Sequence, residues 1–344
     1  MNLDMRMLST LAAAAAAVIA ATVAGAASGS SVAHTCNLWA APSGNDANRG
    51  TKAGPFLTLG KLAATLAPGQ TGCLAPGTSF ATREVITAVG SPGKRVTITT
   101  APGGARAILG DGIETTQATR FLTLTNLAIQ ARDDSPTRDV WGTVILRGYS
   151  TQLTRSDVGP GTLKEVGRSC IVLDHANSAV IAGNVLHDCN GGSANHYSAG
   201  VLASTSAGAR ILDNVIYGNV GGDAVAFSPN AQVSLARRNL MVDNLGGVYF
   251  GGDAKTASRD NTVEQNVITL NGRFDVHSAY GPGSPVGRAN VVRKNCISSP
   301  GAKTAAGIGF TMGRNRIVNP RVLKGQRSYS LTAASPCRAY RPRA

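Results

Sequence analysis

Two groups of side chains in this sequence have the types and spacing to do chemistry. Arg147, Asp174 and His175 fall on two successive copies of a repeated strand pattern, and Tyr249, Asp275 and His277 fall on two later copies. The first group has the richer surroundings. Asp133, Asp134 and Asp139 precede it, Lys164 lies between its two copies, and an insertion from His187 to Gly200 carries His196 and Tyr197. Asp133, Asp134 and Asp139 supply the kind of oxygen ligands that calcium takes, with Asp174 able to help. Lys164, His196 or Arg147 would take a proton and Tyr197 would give one, the division of labour that general acid–base catalysis needs. Asp174, His175, Tyr249 and His277 are expected to bind substrate. His187 instead aligns with Tyr217 and Val242 and suits a satisfied structural histidine, while Arg147 and Asp174 could be no more than an ion pair between neighbouring rows.

These residues are positioned by a repeat. Asn184, Asn214, Asn239, Asn266 and Asn295 each open an apolar cassette, at steps of 30, 25, 27 and 29 residues. Short strands and turns recurring at that period indicate a solenoid. Seven glycine-led rows align: Thr143–Arg147, Cys170–Asp174, Gly200–Ser204, Ala224–Ser228, Gly247–Gly251, Asp275–Ala279 and Gly307–Thr311. Their second column reads Val144, Ile171, Val201, Val225, Val248, Val276, Ile308, all β-branched and suited to an inward stack. A second strand set follows the asparagines and a third precedes them. Three strands per turn, all running one way, predict an all-β, single-domain, right-handed parallel β-helix. Stacked asparagines at its bends would satisfy backbone groups that no ladder reaches, so they carry no catalytic role. Turns are about 4.8 Å apart, which places the two reactive groups about 19 Å from each other, too far for one reaction centre.

Residues 1–33 read as a signal peptide: Arg6, an Ala-rich apolar run from Leu8 to Ala24, then small residues with cleavage sites between 26 and 33. That run is too short and weakly apolar for a stable membrane anchor. Secretion agrees with six cysteines, expected to pair by proximity in the solenoid as Cys36–Cys73, Cys170–Cys189 and Cys296–Cys337. A net charge of +14 favours an anionic extracellular partner. Nucleic acid is disfavoured, because the basic residues are scattered and aromatics make up only 5%.

The segment from Leu38 to Phe80 carries Pro42, Gly44, Asp46, Gly50, Thr51, Pro55, Phe56, Thr58, Leu59, Pro76, Gly77 and Thr78. In that order these residues resemble the opening segment of secreted β-helix proteins related to polysaccharide lyases, the pectate-lyase-like superfamily. Thr58 can N-cap a short helix with Leu59, Leu62 and Leu66 on its inner face. The expected layout is therefore an N-terminal cap over 34–80, the β-helix over 81–320 and a basic C-terminal cap over 321–344. The resemblance implies a monomeric protein acting on acidic polysaccharide by calcium-assisted β-elimination. His187, Asp188 and Cys189 match a stretch of that family in part, with His196 displaced from its pattern. Hydrolysis is less well supported, since an inverting pair of carboxylates is missing near Asp174. The alternative is a non-catalytic, cell-surface or glycan-binding β-helix, favoured by outward columns that are largely small and apolar.

Overall fold

A computed structural model describes residues 35–131, 141–160, 168–189, 198–280, 287–298, 303–325 and 328–343. Lys164, His196, Tyr197 and the trio Asp133, Asp134 and Asp139 lie outside the described residues, as does the expected signal peptide.

The chain winds through three sheets whose neighbours are all parallel. The first holds nine strands, from Glu84–Ile86 to Lys303–Ala306; the second holds ten, from Ser79–Phe80 to Arg316–Ile317; the third holds eleven, from Leu38–Ala40 to Phe310–Gly313. Each circuit runs first sheet, third sheet, bend, second sheet, and from Asn184 onward the bend carries a ladder asparagine. In the first sheet the register follows the expected columns: Val144 pairs with Ile171, then Val201, Val225, Val248 and Val276. All six are fully buried in one continuous core. The seventh row departs from expectation. Val276 pairs with Ala305 of Lys303–Ala306, whereas Phe310–Gly313 belongs to the third sheet. Gly307 and Gly309 take φ of 89° and 91°, so they are turn residues rather than the head of a strand.

The asparagines form the expected ladder. Asn214 Oδ1 accepts both the backbone N–H and the side-chain N–H of Asn184, while Asn214 Nδ2 donates to Ile181 O and to Asn239 Oδ1. The pattern repeats through Asn239, Asn266 and Asn295 and ends at Asn315. A shorter ladder joins Asn219, Asn244 and Asn271.

At the N-terminal end, Leu59–Thr65 is a helix capped by Thr58, whose side chain accepts from Lys61 N, and it buries Leu59, Leu62 and Ala63. Asp46 pins the entry to this helix by accepting from Leu57 N, Thr58 N and the Thr58 hydroxyl. The C-terminal segment behaves differently from the expected cap. Its antiparallel pair, Val322–Lys324 with Tyr329–Leu331, folds back along the outward face of the second sheet. There Tyr329 and Cys337 pack with Leu240, Val242 and Val267. The three disulfides pair as expected, Cys36–Cys73, Cys170–Cys189 and Cys296–Cys337, and the last fastens this segment to the flank.

Asn239→Ala should lower the unfolding free energy by about 2–4 kcal/mol, because it leaves the buried Asn214 N–H groups and Ile211 O without their partner. Denaturant unfolding checks this; an unchanged midpoint would contradict the role given to the ladder.

Candidate functional site

The first reactive group is an ion chain along the edge of the first sheet. Arg147 donates through Nε to Asp174 Oδ2 at 2.7 Å and through Nη1 to Glu114 Oε1, whose other oxygen lies 3.6 Å from Arg83. Asp174 Oδ1 in turn holds His175 Nδ1 at 2.7 Å. Burial opposes the charge on Arg147, but its bonds to Asp174 and Glu114 outweigh burial and raise its pKa above the ordinary guanidinium value. Arg147 is thus no proton acceptor; its place is to fix Asp174. His175 is the exposed member, with 58% of its side chain accessible. Its φ of 52° lies in the left-handed region, uncommon for a residue with a side chain, and it sits inside the strand Ser169–Asn177 where the register with the preceding rung shifts between Leu146 and Gly148.

The second group is brought together in the fold but shut away from solvent. His277 Nε2 lies 2.6 Å from Asp223 Oδ1, and the Tyr249 and His277 rings are 5.0 Å apart. Tyr249 and His277 are each 6% exposed, so they do not form the open sugar contact expected of them. The His277–Asp223 bond spans a rung occupied by Gly246, where a Cβ would lie 2.1 Å from Asp223 and 2.9 Å from His277. Sequence reading missed Asp223, because its partner is 54 residues away and the glycine between them looks like a strand opener. Asp275 faces the other way. It is buried at the end of the shorter asparagine ladder, its Oδ1 accepting from Asn271 Nδ2 at 3.1 Å. Burial raises its pKa to about 7, with the Asn271 bond opposing.

A groove of about 800 Å³ lies elsewhere, on the outward face of the second sheet beside the folded-back segment. Its centre is His187, with Nδ1 2.8 Å from Asp188 Oδ2 and Nε2 3.2 Å from Asp157 Oδ1. Two carboxylate acceptors require both ring nitrogens to donate, so this imidazole is an imidazolium. Burial would push its pKa down, but the bonds and charges of Asp157 and Asp188 lift it to about 9. The ring stacks on Tyr217 at 5.1 Å, as the column alignment implies. It also needs Gly159 beneath it, where a Cβ would sit 2.5 Å from Nε2. On the far side Asp243 accepts from the Tyr329 hydroxyl at 2.6 Å.

Residues 157–321 match the sequence model described as the Right handed beta helix region. The chain is a right-handed parallel β-helix. Among solved structures, this β-helix is similar to the complex of XylC with xylose at 12% identity, covering 86% of this chain and 73% of that one with a TM-score of 0.57. It is also similar to pectate lyase Pel9A at 13% identity, covering 88% and 91% with a TM-score of 0.53. These likenesses are of fold. No curated protein matches the β-helix in sequence.

Two groups, the half-buried His187 and the buried Asp275, make stability fall with rising pH. His187 is raised from 6.5 to about 9, so its contribution is complete below pH 6.5 and lost as pH rises through 9. Asp275 is raised from 3.8 to about 7, so its neutral form contributes fully below pH 3.8 and that contribution is lost through pH 7. Asp275→Asn should flatten the pH dependence of unfolding between 4 and 7. His187→Gln should remove a loss on the order of 3 kcal/mol between pH 6.5 and 9. Denaturant melts across pH measure both; a wild-type curve retained by either variant would contradict its assignment.

Proposed function

We propose that this β-helix is a secreted protein acting on an acidic polysaccharide, and that it cleaves a uronic-acid-containing chain by β-elimination at the edge of its first sheet. The carrying observation is the Asp174–His175 pair beside Arg147. Asp174 accepts from His175 Nδ1, which puts the free electron pair on Nε2, a nitrogen with no partner among the described residues. Arg147 holds the Asp174 carboxylate in place, so the imidazole is oriented and open to solvent at once. His175 Nε2 would remove the proton next to the uronate carboxylate, the carbon's electron pair would form the double bond, and the glycosidic oxygen would leave with the bond's electron pair and take a proton from solvent water. The structural neighbours support a glycan as substrate: one is a pectate lyase and another is a complex with xylose. The net charge of +14 supports an acidic one, and three disulfides support an oxidising, extracellular setting.

Among the described residues no three acidic, histidine or cysteine side chains are grouped to hold a metal. Calcium, in this proposal, would be held by Asp133, Asp134 and Asp139, which lie outside the described residues. Held there, it would neutralise the uronate carboxylate; no step above depends on it.

One observation favours a second reading, a non-catalytic glycan-binding protein. A groove of about 800 Å³ is on the second sheet, away from the Asp174–His175 pair, and its histidine is locked as an imidazolium that cannot act as a base.

The test is ultraviolet absorbance of the unsaturated product on polygalacturonate, alginate, chondroitin, hyaluronan and heparin, with calcium or with chelator. His175→Ala should reduce turnover about 100-fold or more with unfolding unchanged, and Asp174→Asn should reduce it by misorienting the ring. Full activity in His175→Ala would overturn the assignment. A silent wild type that still binds one of these polymers would favour the second reading.

A further inference from the structure

The folded-back C-terminal segment encloses a second hollow on the same flank, of about 360 Å³. Val185, Val215, Leu240 and Leu331 supply its apolar lining, three of them still partly open to solvent and Leu240 buried at the base. Arg155, Arg338, Arg341 and Arg343 stand around it, all exposed. Among the described residues the one carboxylate lining the hollow, Asp213, is already committed. Both its oxygens take Arg238 at 2.7 Å, and one also accepts the backbone N–H of Arg343 at 3.0 Å. The rim is therefore strongly cationic over an apolar floor.

That combination selects a ligand class. A sugar chain needs acceptors for its hydroxyls, and the only carboxylate here is occupied. A simple inorganic anion would leave the apolar floor wet. What satisfies both halves is a hydrocarbon stem that covers Leu240 and Leu331, ending in a phosphate or carboxylate that several guanidinium forks can grip. We propose that this hollow is a binding site for an amphipathic anion, an alkyl phosphate or a fatty carboxylate. A membrane lipid headgroup and a free fatty acid share this chemistry. The Cys296–Cys337 bond ties the segment that bears Leu331, Arg338 and Arg341 to the second sheet, so the two halves of the site are held together. The site owes nothing to the reaction assigned to the first sheet, and none of its residues belongs to that reaction.

Calorimetric titration of the wild-type protein, below the micellar range, would use dodecyl phosphate, laurate, dodecyl maltoside and inorganic phosphate. Dodecyl phosphate and laurate should bind, with the maltoside and inorganic phosphate about 100-fold weaker, since each lacks one half of the ligand. The double variant Arg338→Glu/Arg341→Glu should weaken dodecyl phosphate about 10-fold or more. Leu331→Ser, a change at the half-buried apolar lining, should weaken it while leaving inorganic phosphate unaffected. Absence of dodecyl phosphate binding, indifference to the double charge reversal, or inorganic phosphate binding as tightly as dodecyl phosphate would each overturn the proposal. Vesicles of phosphatidylglycerol against phosphatidylcholine then separate the sources: selective vesicle capture indicates a lipid headgroup, and capture of free laurate alone indicates a soluble fatty acid.

Discussion

Every circuit of this protein depends on satisfying backbone groups at a bend that no sheet reaches. From Asn214 onward the chain turns from the third sheet to the second through a left-handed residue followed by a ladder asparagine. Asp213, Arg238, Gln265, Lys294 and Arg314 occupy that left-handed position with φ of 54° to 56°. None is glycine, so each costs about 1–2 kcal/mol of conformational strain. The asparagine that follows offsets it by joining three turns at once, accepting from the turn before, donating to a carbonyl of that turn and donating to the asparagine after it. Because one carboxamide oxygen takes two donors from the preceding rung, the ladder fixes the register between rungs. It thereby decides which side chains meet on the outer faces.

Those meetings produce faces of different character from one frame. On the first sheet, Arg147, Asp174 and His175 are neighbours only because successive rungs are in register. On the second, the same stacking sets His187 over Gly159 and between two aspartates. The contrast between the two histidines is chemical. His175 has one carboxylate partner and keeps a free electron pair; His187 has two and loses it. A single additional carboxylate separates an oriented base from a fixed cation. The C-terminal segment then adds walls to the second sheet, turning a flat face into hollows, and its disulfide holds those walls in place.

Much of this frame was legible in the sequence, for identifiable reasons. A β-branched residue in an inward column and an asparagine at a bend both repeat at the solenoid period, so six of seven rows and the long ladder could be read directly. The row at Gly307 was misread because glycine followed by an apolar residue serves a turn as readily as a strand. Within the site, Arg147, Asp174 and His175 were legible as neighbours, since adjacent rungs bring adjacent rows together. Their roles were not, because a role depends on which atom holds which proton. Asp223 escaped because it reaches across a side-chain-free rung, a contact that no row-to-row alignment reveals. The path of residues 321–343 along the flank was equally hidden, since nothing periodic marks where a non-repeating segment lies down.

Hydroxyl-radical footprinting of the protein with a bound acidic polysaccharide tests the central assignment most directly. His175 and Tyr149 expose 58% and 49% and are oxidised readily when free. If the first-sheet edge is where the polymer sits, both should be shielded in its presence, while the exposed Lys324 on the second-sheet flank keeps its free-state labelling. Shielding confined to Lys324, with His175 as reactive as before, would contradict the account.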